Sequence, residues 1–157
     1  MKLYFKQKLF SWFDSYDVYN EQEEIEFRIK GELSWGHLLK IYDYHNEHVA
    51  TLKERIMTIL PSFEIYKNNE YIGRINKEFT LFKPSFNIDY NGWYIDGNFL
   101  EWNYSIYDAN DNLVASISKD VFRFTDYYIL DINDNYDPLD VLMVVLAIDA
   151  EKCSRED

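Results

Sequence analysis

The chain has 157 residues, 47% of them hydrophobic and 18% aromatic, so it is long enough to bury a core and too apolar to be disordered. Its 16 Lys and Arg against 28 Asp and Glu give a net charge of −12, which opposes binding to nucleic acid. The N-terminal residues lack the pattern of a signal peptide, and the single cysteine, Cys153, cannot form an internal disulfide. We therefore expect one cytoplasmic domain over residues 1–157.

Short segments rich in β-branched and aromatic residues, separated by turn formers, predict antiparallel strands along most of the chain. In chain order, the first predicted strands are 3–13 (one or two strands), 24–32, 38–42, 48–56, 71–76 and 79–83. Residues 45–47 and 110–112 are predicted hairpin tips, because Asn and Asp tolerate the left-handed conformation. Few of these segments carry a helical pattern, so the sequence predicts a mainly β fold.

Two stretches of the chain repeat one pattern. Ile29-Lys-Gly31-Glu-Leu33 recurs 66 residues later as Ile95-Asp-Gly97-Asn-Phe99, and Tyr42-Asp43 recurs 65 residues later as Tyr107-Asp108. Val49-Ala50 and Val114-Ala115 follow at the same spacing of 65. We therefore expect an internal duplication covering approximately residues 24–66 and 90–132. Trp35 and Trp102 occupy comparable places in the two copies, which favours a role in packing for both.

Near its C-terminus the chain has eight consecutive apolar residues, 141–148. Asp137 can cap a helix and Pro138 fits its first turn, so a helix is predicted at approximately 138–151. It is too short to span a bilayer, which needs about 20 residues, and we expect no transmembrane segment. A helix that is apolar on every side must be enclosed. About twelve strands closed into a barrel around it would also leave no exposed sheet edge.

The same segments resemble a known family. They include Lys6-Gln-Lys-Leu-Phe-Ser11, Pro61-Ser-Phe-Glu-Ile-Tyr66, Phe79-Thr-Leu-Phe-Lys-Pro84, Ala115-Ser-Ile-Ser-Lys119 and the closing helix through Leu146-Ala-Ile-Asp-Ala150. In these the chain is similar to the bacterial branch of the LURP-one-related family, within the tubby C-terminal-like superfamily. The resemblance implies a twelve-stranded antiparallel barrel wrapped around the C-terminal helix, and it implies no reaction.

Tubby proteins bind phosphoinositide headgroups through basic residues on adjoining strands. The resemblance therefore implies a candidate site for an anionic headgroup at Lys53, Arg55, Arg74 and Lys77. Lys53 and Arg55 are two positions apart, so in a strand they project from one face and a phosphate could accept from both. A basic residue expected two positions after Arg74 is absent, and carboxylates lie within the cluster. The alternative is an ordinary solvated face.

Other candidate sites are weaker. The acidic run 131–137 corresponds to a segment of phospholipid scramblases and would offer oxygens to calcium, but Tyr136 and Leu142 stand where a calcium loop needs Gly and Glu. Turn formation and helix capping explain the run better. His37, His45 and His48 fit polar turn positions better than a metal site. We expect no metal and no cofactor.

The sequence lacks a glycine-rich phosphate loop, a nucleophile elbow and a His-Glu-x-x-His helix, so we expect no enzyme. The first functional hypothesis is a non-enzymatic binding module for an unknown protein or small ligand. The alternative is a peripheral membrane module that binds anionic phospholipid headgroups. Third is an enzyme with a pocket at the barrel mouth. The net charge opposes the membrane hypothesis, and the distribution of charge over the surface discriminates between these functions.

Overall fold

A computed structural model describes residues 1–6, 15–78, 81, 85–120 and 127–153, and in these residues twelve strands form one antiparallel sheet around a single α-helix. The strands are β1 (Lys2–Lys6), β2 (Ser15–Tyr19), β3 (Ile25–Ser34), β4 (Gly36–Asp43), β5 (His48–Glu54), β6 (Ser62–Lys67), β7 (Glu70–Glu78), β8 (Ser85–Ile88), β9 (Tyr94–Asn98), β10 (Asn103–Tyr107), β11 (Leu113–Asp120) and β12 (Tyr127–Ile132). A 3₁₀ turn covers Phe99–Glu101, and the helix α1 covers Pro138–Cys153.

The sheet curls into a nearly closed barrel. Its strand order is β8-β7-β6-β5-β4-β3-β2-β1-β12-β11-β10-β9, so β1 joins the two halves by pairing with both β2 and β12. The two edge strands, β8 and β9, are consecutive in the chain. Tyr90, in the connection between them, packs across β7 at Gly73, where an added Cβ would lie 2.4 Å from the Tyr90 Cβ. A glycine is therefore required at this close approach, beside the gap in the barrel.

Helix α1 fills the barrel, as the apolar run predicts. Every residue from 141 to 148 has zero exposed area. Asp137 caps the helix, its Oδ1 accepting the N–H of Leu139 at 2.9 Å. The Lys67 ammonium, on β6, donates to Asp137 and Asp140 at 2.6 and 3.0 Å and ties the start of the helix to the wall. Among the described residues, no helix has the length and apolar content needed to cross a membrane.

The wall of the barrel follows strand alternation. Leu39 and Ile41 on β4, and Ile65 on β6, are almost completely buried against the helix, while the residues between them face outward. Each such side chain stabilises the fold by about 1.5–3 kcal/mol through removal of apolar surface from water. The fixed inward side of each strand decides which polar residues reach the outer surface.

The predicted strands and the observed strands differ in several places. Strands β2 and β8 were not predicted as strands, and β7 extends beyond the predicted 71–76 to Glu78. Strand β3 extends beyond the predicted 24–32 to Ser34, and β5 ends at Glu54 instead of at 56. The predicted strand 79–83 lies outside the described residues apart from Leu81, as does the part of 3–13 beyond residue 6.

The prediction that Trp35 and Trp102 both pack in the barrel is correct for Trp102 and wrong for Trp35. Trp102 is 4% exposed and stacks on Tyr128, with ring centroids 3.7 Å apart. Trp35 is 85% exposed, so the expectation that it packs in the barrel is wrong. The reason is its place in the one-residue connection between β3 and β4, where Ser34 and Gly36 pair directly and leave the side chain outside the wall.

The hairpins β4–β5 and β10–β11 have matching geometry 65 residues apart. In each, the Oδ1 of an aspartate (Asp43 or Asp108) accepts the N–H groups two and four positions on, at 2.8–2.9 Å. Asn46 and Asp111 adopt φ of 62° and 63°, and a register shift precedes each aspartate. A duplicated unit would keep this geometry; the duplication over 24–66 and 90–132 stays a prediction.

The antiparallel order sends the connections alternately to two ends of the barrel. We call the end where α1 begins the lower rim, formed by connections 20–24, 44–47, 68–69, 89–93, 108–112 and 133–137. We call the end where α1 finishes the upper rim, formed in the described residues by 35, 55–61, 81 and 99–102. Every site below is located relative to these rims.

Candidate functional site

Three of the four predicted site residues lie together on the outer surface of β5 to β7. Lys53 on β5, Glu64 on β6 and Arg74 on β7 are direct cross-strand partners. Leu52 is buried, so Lys53 points outward, and the Arg55 guanidinium reaches Glu64 with Nε 3.4 Å from Oε1. We call Lys53, Arg55 and Arg74, with Glu64 between them, the basic face. At a strand spacing of about 4.8 Å, the backbones of Lys53 and Arg74 are about 10 Å apart.

Glu64 partly neutralises the basic face. Its Oε1 forms the ion pair with Arg55, and its Oε2 accepts a hydrogen bond from the Tyr66 hydroxyl at 2.8 Å, which raises the pKa of that hydroxyl. Arg74 Nε donates to the hydroxyl of Tyr71 at 3.0 Å. The three cations and Glu64 sum to a charge of +2, and Asp89, which lies beside Arg74, lowers the local charge to +1. An arriving phosphate would compete with Glu64 for Arg55.

Lys77, the fourth predicted residue, does not join the basic face. On β7, Ile75 is fully buried, and Lys77 lies on its side of the strand, opposite Arg74. Its ammonium contacts the carboxylate of Glu151 near the end of α1, and the two side chains are 11% and 1% exposed. Burial raises the pKa of Glu151 to about 7. This pair holds the end of the helix to the wall.

One carboxylate expected within the cluster turns away from it. Glu54 Oε2 accepts the backbone N–H of His37 at 3.0 Å and lies 2.5 Å from the ring Nδ1. Glu78 is exposed at the end of β7, where the Ser85 hydroxyl contacts it. Glu64 and Asp89 are therefore the carboxylates that reduce the charge of the basic face, the first beside Arg55 and the second beside Arg74.

The acidic run 131–137 is held by the fold. The Asp134 Oδ1 accepts from the amino group of Met1 at 2.9 Å, Asp131 lies 3.7 Å from the Lys2 ammonium, and Asp137 caps the helix. These carboxylates point to separate partners. Within the described ranges, no group of three or more His, Cys, Asp or Glu side chains is arranged to hold a metal ion.

Asp108 forms the hydrogen bonds of a turn at the lower rim. It accepts from the side chain and backbone of Asn112, from the Tyr136 hydroxyl and from the backbone of Asn110, and these bonds lower the pKa of Asp108 to about 2. The carboxylate is thus committed to the hairpin and to the loop before α1. Of the histidines, His45 lies in the connection between β4 and β5 with its ring tilted against Tyr44, whereas His37 lies on β4 and His48 on β5, so these two do not occupy the expected turn positions. The His48 ring forms a hydrogen bond with the Thr51 hydroxyl at 2.8 Å.

Four apolar side chains that the sequence analysis did not select project from the upper rim beside the basic face. Met57 and Ile59 are 99% and 102% exposed, Trp35 is 85% exposed and Ile56 is 47% exposed. Gly36, at φ 92°, brings the Trp35 turn against Ile56, and an added Cβ there would lie 2.9 Å from the Ile56 Cγ2. We call these four residues the apolar tip. Its sequence signal was the run Ile56-Met-Thr-Ile-Leu60, which ends strand alternation just after Arg55.

The lower rim is acidic. Its connections contain nine carboxylates and no Lys or Arg. In the described part of the upper rim, by contrast, Arg55 and Glu101 are the charged residues. Eight of these nine carboxylates lie away from the basic face, whereas Asp89 lies beside Arg74, since its N–H donates to the Arg74 carbonyl at 2.8 Å and its charge acts on the guanidinium. The nine carboxylates are Glu21, Glu23, Glu24, Glu47, Asp89, Asp108, Asp111, Asp134 and Asp137.

A shallow hollow of about 290 Å³ lies on the outer wall, close to the lower rim. Tyr4 on β1 and Tyr19 on β2 are cross-strand partners at its base, and Tyr127 borders it. Asn20, Glu21 and Glu23 complete the lining, and the two glutamates are exposed. The hollow is open to solvent and lies outside the barrel mouth where the sequence analysis considered a catalytic pocket.

Comparison with known proteins gives consistent relatives. The LURP-one-related family profile matches residues 1–149. The uncharacterised protein YxjI of Bacillus subtilis is 28% identical over 158 residues, covering all of this chain and 97% of its own length. The crystal structure of an Arabidopsis thaliana protein superimposes with a TM-score of 0.61 at 12% identity, covering 94% of this chain and 90% of that one. The plant structure supports the fold, and the profile match across nearly the whole chain shows that the protein belongs to the LURP-one-related family.

Proposed function

We propose that this protein is a non-enzymatic binding module that docks on anionic phospholipid surfaces through the basic face. The observation that carries the proposal is the convergence of Lys53, Arg55 and Arg74 on one outward surface. Basic side chains near an anionic membrane each contribute about 1 kcal/mol of attraction. Their separation, about 10 Å across β5 to β7, suits several headgroups better than one phosphate bridging all three.

The segregation of charge removes the main objection to this function. A net charge of −12 would repel an anionic bilayer if it were spread evenly. Eight of the nine carboxylates of the lower rim lie away from the basic face, and Asp89, beside Arg74, is the exception. Exposed charges interact over a Debye length of about 8 Å at physiological salt, so the nearest charges dominate at a docked surface. Those nearest charges are the three cations of the basic face together with Glu64 and Asp89, and they sum to +1.

Co-sedimentation with lipid vesicles tests the proposal. The purified protein is mixed with phosphatidylcholine vesicles, with and without phosphatidylserine, at low and physiological salt. We expect binding to the anionic vesicles alone, lost in Lys53→Ala plus Arg55→Ala. The control, Lys2→Ala plus Arg28→Ala, removes the same charge from ion pairs on β1 and β3. Equal loss in both double variants, or no binding by the wild type, would refute the proposal and leave a protein partner as the next candidate.

A further inference from the structure

We propose that the apolar tip inserts into the boundary between the headgroups and the acyl chains of a bilayer; this inference rests on the docking proposed above. Four apolar side chains lie exposed together beside the basic face, and Met57 and Ile59 are more than nine-tenths exposed. Scattered single apolar residues are normal on a protein surface, whereas a contiguous exposed group marks an interaction site. Trp35 adds an amphipathic ring of the kind enriched at membrane interfaces.

The shape of the tip favours lipid over a protein partner. Met57 and Ile59 have almost no neighbours in this chain, so they protrude and line no groove. A folded partner would need a matching pocket for each side chain to reach the packing of a protein interface. Acyl chains and headgroups rearrange around protruding side chains without such a preformed pocket, and insertion removes their apolar surface from water.

The charge around the tip points to the same occupant. Arg55 begins the connection that carries the tip, and Lys53 is two positions before it on β5. Basic residues flanking an apolar segment match an anionic headgroup layer above a hydrocarbon core. The acidic lower rim would face away from the bilayer in this orientation, because it lies at the opposite end of the barrel.

Hydrogen bonds and the backbone conformation of the connection 55–61 fix the positions of the tip side chains. The Arg55 N–H donates to the Ser62 carbonyl at 2.8 Å and closes the base of the connection. The Thr58 hydroxyl donates to the Arg55 carbonyl at 3.3 Å inside it. Met57 adopts φ 63°, a conformation uncommon for residues other than Gly, Asn and Asp. The chain thus holds a disfavoured backbone conformation at the residue whose apolar side chain projects into solvent, as is common at binding sites.

The test combines vesicle binding with the fluorescence of Trp35. Met57→Ser plus Ile59→Ser should weaken binding to phosphatidylserine vesicles by at least about tenfold, because the inserting apolar groups are lost while the charge is unchanged. Both residues are exposed, so folding should be unaffected. The matched control is Tyr44→Ser plus Leu113→Ser, which removes exposed apolar groups in and beside the lower rim. Brominated lipids should quench the part of the emission that Trp35→Phe removes.

The outcomes separate this inference from the proposed function. Tenfold weaker binding of the tip variant, with an unchanged control and quenched Trp35, supports insertion. A tip variant that binds like wild type, with Trp35 unquenched, overturns insertion and leaves docking by the basic face intact. If the Lys53→Ala plus Arg55→Ala variant still binds vesicles and the tip variant does not, the role of the basic face is overturned. If the wild type does not bind, both proposals are overturned. If sedimentation shows that the wild type is a dimer and the tip variant a monomer, with no change in vesicle binding, insertion is overturned in favour of self-association.

Discussion

Replacing Glu64 with Gln should strengthen binding to anionic vesicles, which is an unusual gain for the loss of an ion pair. The substitution frees Arg55, whose Nε lies 3.4 Å from the carboxylate, and it raises the charge of the basic face from +2 to +3. Lys53 and Arg74 flank the same position as direct cross-strand partners. One added unit of charge near the membrane surface is worth about 1 kcal/mol, which is about a fivefold tighter affinity.

Glu21→Gln is the control for this experiment. It makes the same chemical change and raises the net charge by the same unit, but it lies on the lower rim in the connection between β2 and β3. That position is three strand spacings of about 4.8 Å from β6, farther than the Debye length of about 8 Å. Affinity is measured by vesicle titration at physiological salt. Equal gains for the two variants would mean that net charge governs binding, and no gain for Glu64→Gln would refute the assigned face.

Two further predictions concern the barrel itself. Leu146→Ala should lower the free energy of unfolding by about 3 kcal/mol, because it leaves a cavity in the core. Leu146→Asp should prevent folding, because a buried charge costs several kcal/mol. An unchanged melting temperature for the Asp variant would contradict an enclosed helix. Because burial raises the pKa of Glu151 from 4.5 to about 7, wild-type stability should fall by at most about 3 kcal/mol as pH rises through that window. Urea unfolding of Glu151→Gln should lack this part of the pH slope, and an identical slope would refute the shifted pKa.

The helix and the barrel were predictable because few other structures are compatible with their sequence patterns. A run of eight apolar residues bounded by a cap and charges must be enclosed, and twelve short strands enclose it best by closing. Strands β2 and β8 were missed because each is short. Their place in the sheet depends on pairing with distant segments rather than on a local pattern.

The sequence predicted which site residues share a face only where they lie in one predicted strand. Lys53 and Arg55 share a face, as their spacing of two predicts. Arg74 and Lys77 are three positions apart, and in one uninterrupted strand that spacing puts them on opposite faces. The predicted strand ends at 76, so it did not include Lys77 and gave no relation between the faces of Arg74 and Lys77. The tip was missed for a related reason, since exposure at the end of a strand depends on whether a neighbouring connection covers it.

Net charge carries no information on where the charges lie, so it does not by itself decide against the proposed docking. Antiparallel strands send successive connections to opposite ends, so a preference for carboxylates in alternate connections builds an acidic rim far from the other rim. The longest strand, β3, has ten residues and spans about 30 Å, several times the Debye length at physiological salt. In the docking proposed above, an anionic bilayer would repel the carboxylates of the lower rim and attract the cations of the basic face. The uneven distribution of the −12 charge would then favour the orientation that presents the apolar tip to the membrane.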